Sequence, residues 1–175
     1  MTDGAAPADW KNYDDFAKGI ATNRLPLTDA LAGKTLAITF ADGRTLRLAV
    51  ASGGRLSWQE GKQSGDDACE VIAVAPDTYF IDITFKSLPT EAETLIVNVS
   101  TGRVLSIRSV VRPAGENPGE PRVAQQFRPG LLDGVQPGAS HVPAPTRDLI
   151  GLRAHYTYSP QHVYEHTYLS SERYA

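Results

Sequence analysis

The stretch Lys34-Thr35-Leu36-Ala37-Ile38-Thr39-Phe40-Ala41-Asp42-Gly43-Arg44-Thr45-Leu46-Arg47-Leu48-Ala49-Val50 decides the fold. Leu36, Ile38 and Phe40 fall on alternate positions, and so do Leu46, Leu48 and Val50, which is the pattern of a strand with one buried face. Between the two runs lies Ala41-Asp42-Gly43-Arg44. Asp-Gly at the centre of so short a connection supplies the positive backbone angles of a tight hairpin, so the two strands pair antiparallel.

The same grammar continues downstream. Gly53-Gly54 turns the chain into Arg55 to Gln59, which carries Leu56 and Trp58. Gly61 to Asp67 reads as a polar loop, and Ala68 to Val74 as a strand that alternates poorly. After Pro76-Asp77, Thr78 to Phe85 sets Tyr79, Ile81, Ile83 and Phe85 on one side and Phe80, Asp82 and Thr84 on the other. Glu93 to Val99 and Arg103 to Val111 flank the compact turn Ser100-Thr101-Gly102, and Val123 to Arg128 supplies another strand beyond the loop Pro113 to Pro121. Short strands at about ten-residue spacing, without intervening helical periods, indicate an antiparallel up-and-down meander. Closing it into a barrel removes both exposed edges and encloses side chains or one small ligand; alternation alone leaves an open sandwich as the alternative.

Upstream, Asp9 caps a segment in which Trp10, Tyr13, Phe16 and Ile20 recur at helical spacing, and Asn23 to Pro26 ends it. The expected organisation is an N-terminal helix and lead over 1–27, a β-barrel over 28–128, a Pro/Gly-rich linker over 129–145 and a C-terminal segment over 146–175. A gapless internal repeat sets Leu31 to Phe40 against Leu149 to Tyr158, with Leu, Gly and Thr coinciding. Two unrelated strand starts are the alternative. A real repeat makes the last segment the beginning of a second barrel, which adds to the first, pairs with another chain and so favours a homodimer, or belongs to a longer protein.

Composition narrows the partners. The 175 residues carry 17 basic and 20 acidic side chains, a formal charge of -3, too balanced for the cationic face that drives binding to nucleic acid or an anionic membrane. No apolar run approaches the roughly 18 to 20 residues that span a bilayer. The single Cys69 excludes an internal disulfide framework and reads as a small core residue. Met1 to Asp9 has no signal-peptide pattern, so a cytoplasmic setting is expected. With no Gly-rich phosphate loop and no dinucleotide fingerprint, no cofactor is expected.

The chemistry-bearing residues concentrate near the C-terminus. All 4 histidines lie after residue 140, most within His155-Tyr156-Thr157-Tyr158-Ser159-Pro160-Gln161-His162-Val163-Tyr164-Glu165-His166-Thr167-Tyr168. As a strand, residues 162 to 168 send His162, Tyr164, His166 and Tyr168 to one face and Val163, Glu165 and Thr167 to the other. Imidazole moves protons near neutral pH and phenol donates to a developing oxyanion, so His162, Tyr164, Glu165 and His166 are the catalytic candidates. Satisfied strand surface is the plainer reading of the same residues. His162-Val163-Tyr164-Glu165-His166 also has the H-x-x-E-H spacing of an inverted zinc-peptidase motif, which requires a helix. Trp58, Tyr79, Asp82, His155 and Tyr158 are the candidates for ligand binding. Glu93 or Asn98 could also point into a barrel, whereas Arg103, Arg108 and Arg112 read as a solvated sheet face.

Thr146-Arg147-Asp148-Leu149-Ile150-Gly151, then Tyr156 through Leu169 and Ser171-Glu172-Arg173-Tyr174, resembles the opening of the C-terminal domain of the MoaF family of molybdenum cofactor biosynthesis proteins. Leu31-Ala32-Gly33 through Val111 resembles that family's N-terminal domain. The resemblance implies a lipocalin-like (calycin) barrel and an association with molybdopterin metabolism, and it supplies no catalytic residues. The expected role is that of a non-catalytic accessory module holding a small aromatic or pterin-like ligand. A small barrel lyase, isomerase or cyclase using His, Glu and Tyr is the alternative, and a hydrolase with a metal on His162 and His166 is the third.

Overall fold

The computed structural model describes residues 24–116, 118–119, 121–134, 142–160, 162–170 and 173, without the side chains of Tyr158, Ser159 and His162. The helix expected over Trp10 to Ile20 lies outside the described residues. Two units are formed, residues 25–144 and residues 1–24 with 145–175. No helix among the described residues is long and apolar enough to cross a membrane.

The first unit is a closed barrel of eight antiparallel strands in chain order: β1 (Thr35–Phe40), β2 (Thr45–Ala51), β3 (Arg55–Glu60), β4 (Gln63–Ala75), β5 (Thr78–Thr84), β6 (Glu91–Asn98), β7 (Arg103–Val111) and β8 (Val123–Leu132). The quoted hairpin forms as its pattern requires, with Leu36 opposite Leu48 and Ile38 opposite Leu46. Two segments depart from the reading. Residues 63 to 67, taken as loop, are the start of β4, because Gly61 at a φ of 59° lets a tight turn bring Gln63 opposite Glu60. Pro129-Gly130, taken as linker, lies inside β8, which closes the barrel by pairing Phe40 with Gly130 and Ile38 with Leu132. The pyrrolidine removes a donor, yet the Pro129 carbonyl still accepts from Ala41 N at 2.9 Å. Gly130 is required there, since a Cβ would stand 2.9 Å from both Phe40 Cδ1 and Thr39 O.

The interior is filled. Ile38, Leu48, Ile81, Leu95, Val97 and Val104 are fully buried and form one aliphatic cluster with their neighbours. An eight-stranded barrel is narrow enough for side chains to fill it, and these do. One end is stoppered by Leu31, buried in the turn ahead of β1, while Leu27 bridges to Ile72 on β4. Cys69 is buried in the same core, and burial pushes its thiol pKa up against the pull of Arg55. The expected result is that a colorimetric disulfide reagent at pH 8 titrates Cys69 fully in denaturant and negligibly in the folded protein; equal rates in both would contradict this placement.

The second unit contains the hairpin β9 (Arg153–Ser159) and β10 (His162–Thr167), a two-stranded sheet. It reproduces the base and mid-strand register of β1–β2, and departs from it near the turn, where the register shifts between His162 and Val163. Lys34 N donates to Leu31 O at 3.0 Å and Leu152 N to Leu149 O at 2.9 Å; Gly33 N donates to Val50 O and Gly151 N to Tyr168 O, both at 2.8 Å. Registers correspond as well, Ile38 opposite Leu46 matching Tyr156 opposite Tyr164. The weak sequence repeat is thus a structural one.

Candidate functional site

Polar residues on the inward phase of the barrel strands gather at the end opposite Leu31. Glu60 follows Leu56 and Trp58 in phase, Glu91 and Glu93 precede Leu95 and Val97, Ser106 and Arg108 follow Val104, and Arg128 precedes Gly130. Strand pairing puts Glu93 directly opposite Arg108 and Ser106 directly opposite Arg128. These groups meet because period-two geometry sends them inward at the same level of adjacent strands.

Glu93, 1% exposed, ties the cluster together. Its Oε1 accepts from Arg128 Nη2 at 2.7 Å and from the Ser106 hydroxyl, and its Oε2 accepts from Arg108 Nη1 at 3.2 Å. Arg128, 4% exposed, also donates through Nε to Ser106 Oγ at 3.0 Å and through Nη1 to Glu60. Arg108 donates from Nε and Nη2 to Glu91 Oε2 at 2.9 and 2.7 Å. Burial works against the charge of Arg128, but Glu93 and Glu60 outweigh it and hold its pKa above the ordinary value. Beneath, Arg108 Cζ lies 4.3 Å from the centroid of Phe85 and Arg128 Cζ 4.5 Å from that of Phe40, so both guanidiniums rest on buried aromatic rings. Above them opens a cavity of about 610 Å³ lined by Glu60, Gln63, Glu91, Arg108, Gln126 and Arg128 among others.

Sequence reasoning placed Glu93 as a residue that could point inward, and it does. Arg108, read as solvated sheet surface, instead turns into the barrel with Val104 and Ser106. The signal available for the cluster is phase: Glu60, Glu91, Glu93 and Arg108 fall on the beat of the buried core residues of their own strands, and Arg128 on that of buried Gly130 and half-buried Leu132.

The proposed ligand-binding residues of the barrel are elsewhere. Trp58 is a core side chain, its Nε1 donating to buried Asp67 Oδ2 at 2.7 Å and its ring edge-on to Phe85 at 4.9 Å. Tyr79 is half-buried against the aliphatic core, away from the open mouth at the start of β5. Asp82 points outward, because it falls between inward Ile81 and Ile83, and its carboxylate accepts from Thr94 Oγ1 at 2.8 Å.

In the hairpin the candidates separate by face. Glu165 stands opposite His155, with Oε2 2.8 Å from His155 Nε2, and Arg153 Nε lies 3.6 Å from Oε1. Tyr164 stands opposite Tyr156 on the other face, where His166 packs on Tyr156 at 4.7 Å and the Tyr156 and Tyr168 hydroxyls are 3.0 Å apart. Glu165 therefore does not share a face with Tyr164 or His166. The repeat gives these faces a meaning: Tyr156 and Tyr164 hold the positions of inward Ile38 and Leu46, whereas His155 and Glu165 hold those of outward Ala37 and Arg47. The side chains of His162 and Tyr158 lie outside the described residues. Residues 162 to 166 form a strand, so the two histidines of the H-x-x-E-H spacing stand about 13 Å apart along it instead of converging as on a helix. Because His155 and Glu165 are exposed, Glu165→Gln is expected to change the unfolding free energy by less than about 1 kcal/mol in urea denaturation; a larger loss would contradict a solvent-facing pair.

The MoaF N-terminal domain family matches residues 8–112, and the MoaF C-terminal domain family matches residues 143–175. Protein MoaF of Klebsiella aerogenes is 30% identical over 166 residues, covering 89% of this chain; the chain spans 59% of that relative's length. Among solved structures, one described as a "putative beta-lactamase" from Burkholderia vietnamiensis is similar at a TM-score of 0.45 and 21% identity, over 63% of this chain and 97% of that one.

Proposed function

The chain belongs to the MoaF family, and from that premise we propose that it is a small-molecule-binding accessory protein of molybdenum cofactor biosynthesis, with the open mouth of its barrel as the binding site. The observation that carries the reading is the contrast between the two ends. At one end Leu31 closes a filled aliphatic interior beside a cavity of about 260 Å³ lined by Leu27, Val50, Cys69 and Val71 among others, while the other end opens into the larger cavity, whose charged groups are held in place by ion pairs. Concave sites with a few fixed polar groups are where small ligands bind. On this reading the barrel is lipocalin-like in architecture but receives an aromatic or pterin-like guest at its rim, and it works in the cytoplasm. Among the described residues only β9 and β10 pair in this sheet, and an unpaired strand edge is of the kind that joins another copy, which favours a homodimer.

The test is genetic and chemical. Deleting the gene in its host is expected to lower the cellular molybdopterin content, with recovery on supplying the wild-type gene but not one encoding Arg108→Ala. Unchanged molybdopterin in the deletion strain would contradict the role.

A second reading rests on the hairpin. The face bearing Tyr156, Tyr164 and His166 occupies barrel-lining positions in the repeat, so proton transfer by His166 with phenols beside it belongs to this alternative, a small lyase, isomerase or cyclase. It requires His166→Ala to abolish the contribution to the cofactor while the mouth variant retains it.

A further inference from the structure

We infer that the closed end of the barrel holds a second binding site, for a small uncharged apolar molecule the size of one substituted ring. This site is independent of the mouth. It is the cavity of about 260 Å³ beside Leu31, framed by the segment Leu27 to Ala32, the turn between β2 and β3, and the inward side chains of Val50, Cys69 and Val71. Thr28 N donates to Val71 O at 2.9 Å and Gly33 N to Val50 O at 2.8 Å, so the segment is anchored to both strands that flank the space. Packing is incomplete here and complete deeper in the barrel. Ile38, Leu48, Leu95 and Val97 have no exposure, whereas Val50, Cys69 and Val71 keep 5, 5 and 6%. The adjoining wall is bare backbone at Gly54, which a Cβ would bring to 3.0 Å from Cys69 O.

The chemistry of the occupant follows from the wall. The barrel contributes two valines and a thiol, and the segment over it contributes Leu27 and Ala32. Backbone groups around the space already bond to one another: Cys69 N donates to Gly54 O at 2.8 Å, Val50 N to Lys34 O at 2.9 Å and Ala32 N to Asp29 O at 2.8 Å. Thr28 Oγ1 accepts from Ala30 N at 3.2 Å. Asp29, the one charged residue among those described at the cavity, is exposed and keeps its charge in water at the rim. An ion entering the space would lose its hydration without gaining partners, and a water there needs two to four polar groups. An apolar molecule needs none and gains from leaving water. The Cys69 thiol, held protonated by burial, offers a soft polarizable surface to an aromatic ring. Size sets the upper limit. An apolar cavity of about 150 Å³ admits benzene, and drug-sized ligands occupy roughly 300–1,000 Å³, so the space beside Leu31 suits one ring with a short substituent.

The test titrates toluene into the full chain, with benzylamine and benzoate as charged molecules built on the same ring, and follows amide NMR shifts. Toluene is expected to give saturable shifts at Gly53, Gly54, Cys69 and Val71, and both charged probes to leave these amides in place. Ala32→Leu, which enlarges a lining side chain, is expected to weaken toluene at least about tenfold. Val50→Phe serves as the second variant should the first perturb folding, which the same spectra report. Charged probes that shift these amides as strongly as toluene, or undiminished toluene binding in a folded variant, would overturn the inference. So would toluene shifts confined to the mouth or to β9 and β10, or no shift at all. Nuclear Overhauser contacts from Trp10, Phe16 or Ile20 to Val50 and Val71 in the free protein would put the chain's own N-terminal segment in the space and overturn it as well. Failure of the mouth as a binding site is read separately, at the amides of Gly61 and Gln63 at the other end of the barrel.

Discussion

Arg128→Ala is expected to lower the unfolding free energy by about 3–5 kcal/mol, the range found when one partner of a buried ion pair is removed. The guanidinium is 4% exposed and supplies donors to Glu93, Ser106 and Glu60 at once. Its loss strands the Glu93 carboxylate, 1% exposed, with only Arg108 and the Ser106 hydroxyl. It also removes the group packed on Phe40. The measurement is urea denaturation followed by far-UV circular dichroism. The double variant Arg128→Ala with Glu93→Ala is expected to cost less than the sum of the single changes, because the second removes the charge that the first leaves unpaired. A loss below about 1 kcal/mol for Arg128→Ala would show that the pair is solvated and the mouth less rigid than described.

Trp58→Ala is expected to cost about 3–5 kcal/mol, as for other large aromatic side chains removed from a packed core. The indole fills the barrel between Phe85 and the β4 backbone, where Gly65 makes room for it: a Cβ on Gly65 would stand 2.8 Å from Trp58 Nε1. Asp67 would lose the indole N–H and keep the Lys86 backbone N–H at 3.1 Å. Thermal and urea unfolding measure the loss. A variant that keeps near wild-type stability and loses ligand would return Trp58 to the binding role that its aromatic character suggests.

Period-two phase makes most of the barrel legible in the sequence. The alternation of Leu36, Ile38 and Phe40 with the Asp42-Gly43 turn defines β1–β2, and the inward set Tyr79, Ile81, Ile83 and Phe85 is as the pattern of β5 required. The barrel forms as expected, but alternation alone leaves its closure open, because closure depends on Pro129-Gly130 joining β8, and that dipeptide by itself signals a loop. Its strand role arises from a tertiary fit, the close approach of Gly130 to Phe40. Residues 63 to 67 were hidden similarly, their polarity suggesting a loop where pairing with β3 makes a strand.

The site was read less well than the fold. Density of histidine and tyrosine draws the sequence reading to residues 155–168, whereas the inward charged groups of the barrel's cavity come from β3, β6, β7 and β8, distant in sequence. Glu60, Ser106 and Arg128 carry no local motif; only their shared phase and shared end of the barrel bring them together. Asp82 shows the converse, a carboxylate between two isoleucines that the pleat turns outward.

Native mass spectrometry of the protein purified from its own host tests the central claim most directly. Wild type is expected to carry a small molecule that Glu91→Gln loses and Tyr164→Phe retains. Absence of any added mass on the wild type, or loss with Tyr164→Phe but not with Glu91→Gln, would contradict a binding site at the charged mouth of the barrel.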